Sequence, residues 1–228
     1  MPVTESTDGQ PEFEYLTLRL LVGCGTFALP LIVLIFSSFA QLTSISASYH
    51  TGARDILVGS LFMIATILVA YRGNGPIESW MANLGAVAAI VAALCPVACE
   101  VCKIDTMAIL HALAGAILFS VIAYFCFGPF RQGAKKKNSA KAKQRVRIYT
   151  VCGWVIIVCI LVIAIVQIPA AAELKRVWLL AFWAEFFALW AFGFAWIVAS
   201  KFLPWFADKD ERLILSLNLG ASNRRKKK

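Results

Sequence analysis

The chain has 228 residues, of which 60% are hydrophobic and only 15% are charged, and its formal net charge is +9. The mean hydropathy of +0.75 is high, and the charged fraction is well below the roughly 25% of an ordinary soluble domain. Together the two values exclude such a domain. The positive charge does not indicate a nucleic-acid-binding protein, because it is concentrated in short basic runs beside apolar segments.

The first 15 residues are acidic and include Pro2 and Pro11, so we expect residues 1–15 to be disordered. Glu12 and Glu14 stand just before the first apolar segment. A secretory signal has a basic region at that place, so the segment is predicted to be an uncleaved membrane span.

Six apolar segments approach the length of about 20 residues that a helix needs to cross a membrane. They are continuously apolar instead of alternating, which predicts helices and not a barrel. The segments are residues 20–40, 56–71, 80–99, 107–130, 148–172 and 177–200. The predicted fold is an all-α bundle of six transmembrane helices in one domain, 16–206, with an interfacial segment and basic tail at 207–228.

The distribution of basic residues predicts the orientation of the bundle. If the six spans alternate in direction, 18 of the 22 lysines and arginines lie on the side that holds both termini. The positive-inside rule then places both termini in the cytoplasm of a cell, inner or plasma membrane. The expected partners are membrane lipids, with anionic head groups at the basic segments and no nucleic acid; the sequence leaves the oligomeric state open.

Two ionisable residues lie inside predicted spans, and both lie nearer the outer face. Glu185 stands in an aromatic run about 12 Å below the outer surface, and His111 stands about 6 Å below it. A charge at such depth is costly unless it is paired, protonated or hydrated, so an intramembrane acid is a candidate functional residue. We expect the two side chains to form a coupled proton pair; alternatively, Glu185 is a protonated structural residue.

Further candidate residues cluster near the predicted outer loop. Arg54 and Asp55 are expected at the rim of an outward-facing pocket, where Arg54 would recognise a phosphate or carboxylate head group. His50 is a candidate ligand-binding residue or a solvated loop residue. Ser48 and Ser60 supply the hydroxyl groups that a catalytic mechanism would need.

Three cysteines, Cys95, Cys99 and Cys102, follow the third span closely. They are interpreted as structural thiols, either free or joined in a disulfide, with a metal cluster as the less favoured alternative. Two histidines in the whole chain cannot form a three-histidine zinc site. Glycine-loop and hydrolase motifs are absent, so no metal and no cofactor is predicted.

Four segments in this order resemble small bacterial six-span membrane proteins of unknown function. They are SISASYHTGARDILVGSLFMIATILVAYRG, LHALAGAILFSVIAYFC, YTVCGWVIIVCIL and AEFFALWAFGFAWIVASK, within residues 44–201. A histidine at the head of one span and a glutamate in the last are also similar to the DRAM/Frag family of multi-span proteins. The resemblance implies a six-span fold and singles out Arg54, Asp55, His111 and Glu185, but it implies no reaction.

The leading functional hypothesis is a protein that binds or senses a lipid-like amphiphile in an outward-facing pocket. A second hypothesis is a lipid hydrolase or transferase with His111 and Glu185 as acid and base, so enzymatic activity stays open. A third is a small proton-coupled transporter, which the lack of internal repeats disfavours.

Overall fold

A computed structural model describes residues 10–37, 42–71, 73, 75–98, 106–168 and 179–213, with side chains from Leu16 onward. These residues form helices and no β-strand, which confirms the predicted all-α class. The α-helices are α1 (Gln10–Phe36), α2 (Arg54–Ala70), α3 (Pro76–Leu94), α4 (Thr106–Phe125), α5 (Arg131–Lys135), α6 (Ala140–Ile165) and α7 (Leu180–Ala199). A 3₁₀-helix, Ser46–His50, precedes α2, and a π-helical turn, Cys126–Phe130, joins α4 to α5.

Five helical segments among the described residues are long and apolar enough to cross a membrane. They are Leu16–Phe36, Pro76–Leu94, Thr106–Lys135, Ala140–Ile165 and Leu180–Ala199. Helix α2 has 17 residues and extends about 26 Å, slightly less than a hydrocarbon core of about 30 Å. The fold is therefore consistent with a multi-pass membrane protein.

The helix boundaries differ most from the sequence prediction at the starts of α1 and α6. Helix α1 begins at Gln10, so residues 10–15 are helical where disorder was expected, while residues 1–9 lie outside the described part. The predicted connection between the fourth and fifth spans is mostly helical, through α5 and the first turns of α6. Its lysines, arginines and alanines favour helix, and the Ser139 side chain accepts a hydrogen bond from the Ala142 N–H to cap α6.

Contacts at the helix ends show which ends of the helices lie together. Arg19, near the start of α1, donates to the Ala199 carbonyl at the end of α7 over 3.3 Å. The Tyr71 ring, just after α2, packs 5.0 Å from Phe125 at the end of α4. We call this end of the bundle, which holds Arg19, Tyr71 and Ala199, the basic end; the opposite end, which holds the Ser46–His50 helix, is the cavity end.

Helix α7 is the most buried of the candidate spans. Over its apolar stretch 67% of the residues are buried, against 28–44% in the other four. Among its aromatic residues, Phe192 and Trp196 are buried, whereas Trp183 is exposed. Helices α3 and α4 pack against each other, and α7 packs against both α1 and α6.

The contact between α1 and α7 brings the two backbones close together at Gly23 and Gly193. A Cβ atom added at Gly193 would lie 2.7 Å from the Phe27 nitrogen and 2.8 Å from the Gly23 oxygen. Backbone atoms cannot move aside as a flexible side chain can, so glycine is required there by packing. This close contact helps to fix the position of Glu185 on α7 relative to α1.

Candidate functional site

The Glu185 carboxylate receives a hydrogen bond from the main chain at the cavity end. The Ser46 N–H donates to Glu185 Oε2 over 2.7 Å. Ser46 is the first residue of the 3₁₀-helix, and N–H groups at the start of a helix have no partner within that helix. The bond therefore gives this main-chain N–H an acceptor and gives the carboxylate a donor. It also connects the 3₁₀-helix to α7.

His111 is buried in α4, with 7% of its surface exposed. Its Nδ1 lies 2.8 Å from the Cys95 carbonyl oxygen and 3.0 Å from the Ala92 carbonyl oxygen, at the end of α3. Carbonyl oxygens only accept hydrogen bonds, so Nδ1 holds a proton whether the ring is neutral or charged. In the neutral ring Nε2 is consequently an acceptor.

The imidazole and the carboxylate line the same cavity, of about 50 Å³. Ser46 also lines it. The remaining lining residues are nonpolar and come from α1, α2, α3, α4, α7 and the segment before the 3₁₀-helix. They are Leu29, Ile45, Leu57, Leu61, Ile64, Ala92, Gly115, Leu118, Phe119, Leu189 and Phe192. The structure thus brings together the two intramembrane residues that the sequence singled out.

Three other candidates lie outside the cavity lining. Arg54 and Asp55 are exposed at the start of α2. The Arg54 guanidinium lies 4.7 Å from the centre of the Tyr49 ring and donates to the Tyr49 hydroxyl over 3.1 Å. The exposed His50 pairs through Nε2 with the Val97 carbonyl oxygen at 2.8 Å. Arg54 and His50 thus contact other segments at the cavity end, but none of the three residues is brought to the imidazole and the carboxylate.

Neither predicted catalytic hydroxyl lines the cavity. Ser48 is fully buried, and its hydroxyl has no hydrogen-bond partner within the described part of the chain. Ser60 is partly exposed on α2. The serine that does line the cavity is Ser46, whose main-chain role the sequence analysis missed.

A second buried polar cluster, also missed, lies at the basic end. Tyr71 donates a hydrogen bond to Glu78, and Arg19 donates to the Tyr71 hydroxyl over 3.3 Å. Arg19 also lies 5.3 Å from the centre of the Phe130 ring. Tyr71 and Glu78 have only 3% and 8% of their surfaces exposed. The cluster joins the ends of five helices; the sequence signal was an acid two residues after Pro76 at the start of a span.

The segment after α7 is held to the basic helices by ion pairs. Arg145 is 3% exposed and pairs with Glu211 at 2.6 Å, while Lys201 and Lys137 each approach Glu211 to 3.2 Å. Burial opposes ionisation of Glu211, but attraction to Lys201 and Arg145 and hydrogen bonds from Lys137 and Arg145 hold its pKa below the ordinary value. Several lysines and arginines expected to meet anionic lipid therefore have acidic partners within the chain.

Of the three cysteines that follow the third span, the structure describes one. Cys99 and Cys102 lie outside the described residues, and buried Cys95 has its Sγ 3.9 Å from Met107 Sδ. Among the residues that are described, no group of three or more His, Cys, Asp or Glu side chains could hold a metal ion.

Comparison with known proteins gives no match: no family model fits the chain, and no curated protein and no solved structure resembles it significantly. The resemblance to small bacterial six-span proteins and to the DRAM/Frag family stays a prediction.

Proposed function

We propose that this protein is a six-span cell-membrane protein that binds or senses a lipid-like amphiphile in a pocket open to the outer side. The observation that supports the proposal is the convergence of His111 and Glu185 on one mostly apolar cavity. Small polar groups within an apolar wall are typical of ligand sites, and ionisable residues inside spans are typical of functional ones. The positive-inside rule directs the basic end to the cytoplasm and the cavity end outward.

The size of the cavity limits which part of an amphiphile it takes. A volume of about 50 Å³ accommodates one or two water-sized groups, whereas drug-sized ligands occupy about 300–1,000 Å³. The polar head would therefore enter the cavity, and the apolar tail would lie between helices or in lipid. The head would have to pass the Ser46–His50 helix, since Ile45 and Ser46 form part of the wall.

The two alternative functions receive less support. Hydrolysis or transfer needs a nucleophile beside the acid and base, and Ser48 and Ser60 are not in the lining. Transport of a proton needs a polar path to the basic end. The core beyond the cavity is apolar there, with Leu68, Ile122 and Phe125 fully buried.

Native mass spectrometry of the purified full chain tests the proposal. We expect the wild type to retain a co-purified amphiphile and the Glu185→Gln variant to lose most of it. The matched control is Asp55→Asn, which removes the same charge from an exposed acid outside the cavity and should keep the ligand. Equal retention by wild type and Glu185→Gln, or no retained amphiphile in either, would contradict the proposal.

A further inference from the structure

The first turns of α6 carry basic residues on two opposite faces. Lys141 and Arg145 lie on one face, because residues four apart in a helix are about one turn apart. Lys143 and Arg147 are rotated by about 200° from that pair, at about 100° per residue, and lie on the other face. The two pairs therefore have different surroundings.

The first pair is engaged by the segment that follows α7. Lys141 donates to the Pro204 carbonyl oxygen over 2.7 Å. Arg145 is buried and pairs with Glu211 at 2.6 Å. An anion from outside the chain would have to displace this segment to reach either side chain.

The second pair is open to a partner. Lys143 and Arg147 are both exposed, and over the residues that the structure describes neither side chain has a hydrogen bond or an ion pair. Residues four apart on a helix have Cβ atoms about 5–6 Å apart, so both cations can reach one phosphate group. The guanidinium of Arg147 can in addition bind two phosphate oxygens at once.

The same face of α6 continues towards the cavity end as an apolar stripe. The stripe consists of side chains three or four positions apart, each 55–61% exposed: Val151, Trp154, Val158, Leu161 and Ile165. Only 28% of the residues in this span are buried, the lowest value among the five candidate spans of the described chain. From Arg147 to Ile165 the helix rises about 27 Å. The face thus has cations at the basic end and apolar side chains beyond them.

We propose that this face of α6 binds an anionic phospholipid from the membrane leaflet at the basic end. The lipid phosphate contacts Lys143 and Arg147, and an acyl chain lies along the stripe from Val151 to Val158. A nucleic acid or a soluble phosphate would match the two cations but not the apolar stripe, whereas a phospholipid matches both. The site lies away from the cavity of His111 and Glu185, so it does not depend on the proposed function.

Native mass spectrometry of the full chain in a non-ionic detergent tests the head-group contact. The protein is titrated with dioctanoyl phosphatidylglycerol, and the Kd of the first bound lipid is measured. We expect the double variant Lys143→Gln/Arg147→Gln to raise this Kd about 30-fold, or about fivefold for each cation. The matched control is Lys135→Gln/Lys136→Gln, which removes two exposed lysines outside the stripe and should change the Kd less than about twofold.

The other half of the ligand is tested by changing the lipid and the stripe. Dioctanoyl phosphatidylcholine has the same chains but no net charge, and should bind at least about tenfold more weakly. Glycerophosphoglycerol, the head group without chains, should not bind at the same concentrations. Trp154→Ala should raise the Kd for the anionic lipid about fivefold. Trp80→Ala, at an exposed tryptophan of α3, is its control and should leave the Kd unchanged.

Several results would overturn the site on α6. They are an unchanged Kd in Lys143→Gln/Arg147→Gln, an equal loss in the Lys135→Gln/Lys136→Gln control, or equal affinity for the two lipids. Binding of glycerophosphoglycerol as tight as that of the lipid would replace the lipid by a soluble phosphate. If the double variant does not fold, Lys143→Gln and Arg147→Gln singly decide, each with an expected rise of about fivefold.

The Glu185→Gln variant separates this inference from the proposed function. It should bind dioctanoyl phosphatidylglycerol with the wild-type Kd, because Glu185 lines the cavity and not the face of α6. Loss of the lipid in Glu185→Gln but not in Lys143→Gln/Arg147→Gln would place the lipid in the cavity, and would overturn this inference while supporting the proposed function.

Discussion

At the scale of single residues, the two intramembrane groups have different partners. Glu185 accepts from the Ser46 amide, and His111 donates to the carbonyl oxygens of Ala92 and Cys95. Main-chain groups at helix ends thus satisfy both side chains in part, which lets an acid and an imidazole persist among apolar neighbours. Each group connects two segments, so each has a structural as well as a proposed functional role.

Replacing His111 by leucine should destabilise the fold. The change leaves the two buried carbonyl oxygens at the end of α3 without their donor, which costs about 1–3 kcal/mol. We expect a lower thermal unfolding midpoint in detergent. His50→Leu is the control, because it removes an exposed bond to a single carbonyl and should have a much smaller effect. Equal losses in the two variants would show that the buried bonds do not stabilise the helix end.

Hydropathy of the sequence could predict which residues are intramembrane, but not their partners. His111 and Glu185 were found because polar residues within long apolar runs are conspicuous, and alternating spans placed both nearer the same face of the membrane. The Ser46 donor could not be found, since a main-chain amide has no signature in the sequence. Glu78 and Tyr71 were missed because ionisable and aromatic residues at span ends are usually interfacial anchors, whereas here they are buried together.

At the scale of helices, close packing fixes α7 against α1. The backbone contact between Gly23 and Gly193 has no room for a side chain. The small residues of α3 pack in a related way: a Cβ at Gly85 would lie 3.0 Å from Val121 on α4 and 3.2 Å from Leu68 on α2. Such contacts substitute for the hydrophobic effect, which does not drive helices together in lipid.

Alanine at position 193 should separate the two helices. Its Cβ would overlap backbone atoms of Phe27 and Gly23, and overpacking of this kind costs about 1–3 kcal/mol. We expect Gly193→Ala to lower the thermal unfolding midpoint in detergent. The control Gly59→Ala adds a methyl group where no atom lies within 4 Å, so it should be neutral or slightly stabilising. An unchanged midpoint for Gly193→Ala would contradict the close approach.

The ion pairs of Glu211 should make the basic end sensitive to acid. Because the folded pKa of Glu211 lies below its ordinary value, its stabilisation is present above about pH 4.3 and is lost as the pH falls through the folded pKa. Glu211→Gln should lower the unfolding midpoint at pH 7, and its difference from wild type should shrink towards pH 3. An Asp55→Asn control accounts for losing one acid elsewhere. A difference that does not vary with pH would rule out this linkage.

Helix boundaries were harder to predict than helix positions. Hydropathy detects the part of a helix that could cross a membrane, but α1 and α6 begin in polar sequence. Helix propensity favours these first turns, and the Ser139 cap fixes the start of α6. The predicted interfacial segment after residue 206 is in part an internal partner of α6, through Arg145 and Glu211. Long-range ion pairs of this kind are not encoded in local composition.

At the scale of the whole molecule, α2 decides the topology. It runs from the cavity, where Leu57 and Leu61 line the wall, to Tyr71 at the basic end, antiparallel to α1 and α3. Its length of 17 residues makes it the shortest of the six helices in the predicted spans. Six crossings put both termini on one side, whereas five would put them on opposite sides.

Cysteine labelling at the two ends of α2 tests the number of crossings. In a background without native cysteines, Thr51→Cys and Gly75→Cys are treated with a membrane-impermeant maleimide in right-side-out and inverted vesicles. We expect Thr51→Cys to react in the former and Gly75→Cys in the latter. Lys209→Cys, after α7, should follow Gly75→Cys. Reaction of Thr51→Cys and Gly75→Cys from one side would show that α2 does not cross.

The amide that holds Glu185 has a consequence for how position 46 tolerates substitution. Because the donor is the peptide nitrogen of Ser46, its side chain is irrelevant to the bond, and nearly every amino acid supplies the same group. Proline alone lacks the N–H. Any residue other than proline that fits the cavity wall could therefore replace Ser46 while the bond to the glutamate is kept, so a comparison of related sequences would show the glutamate and not its donor.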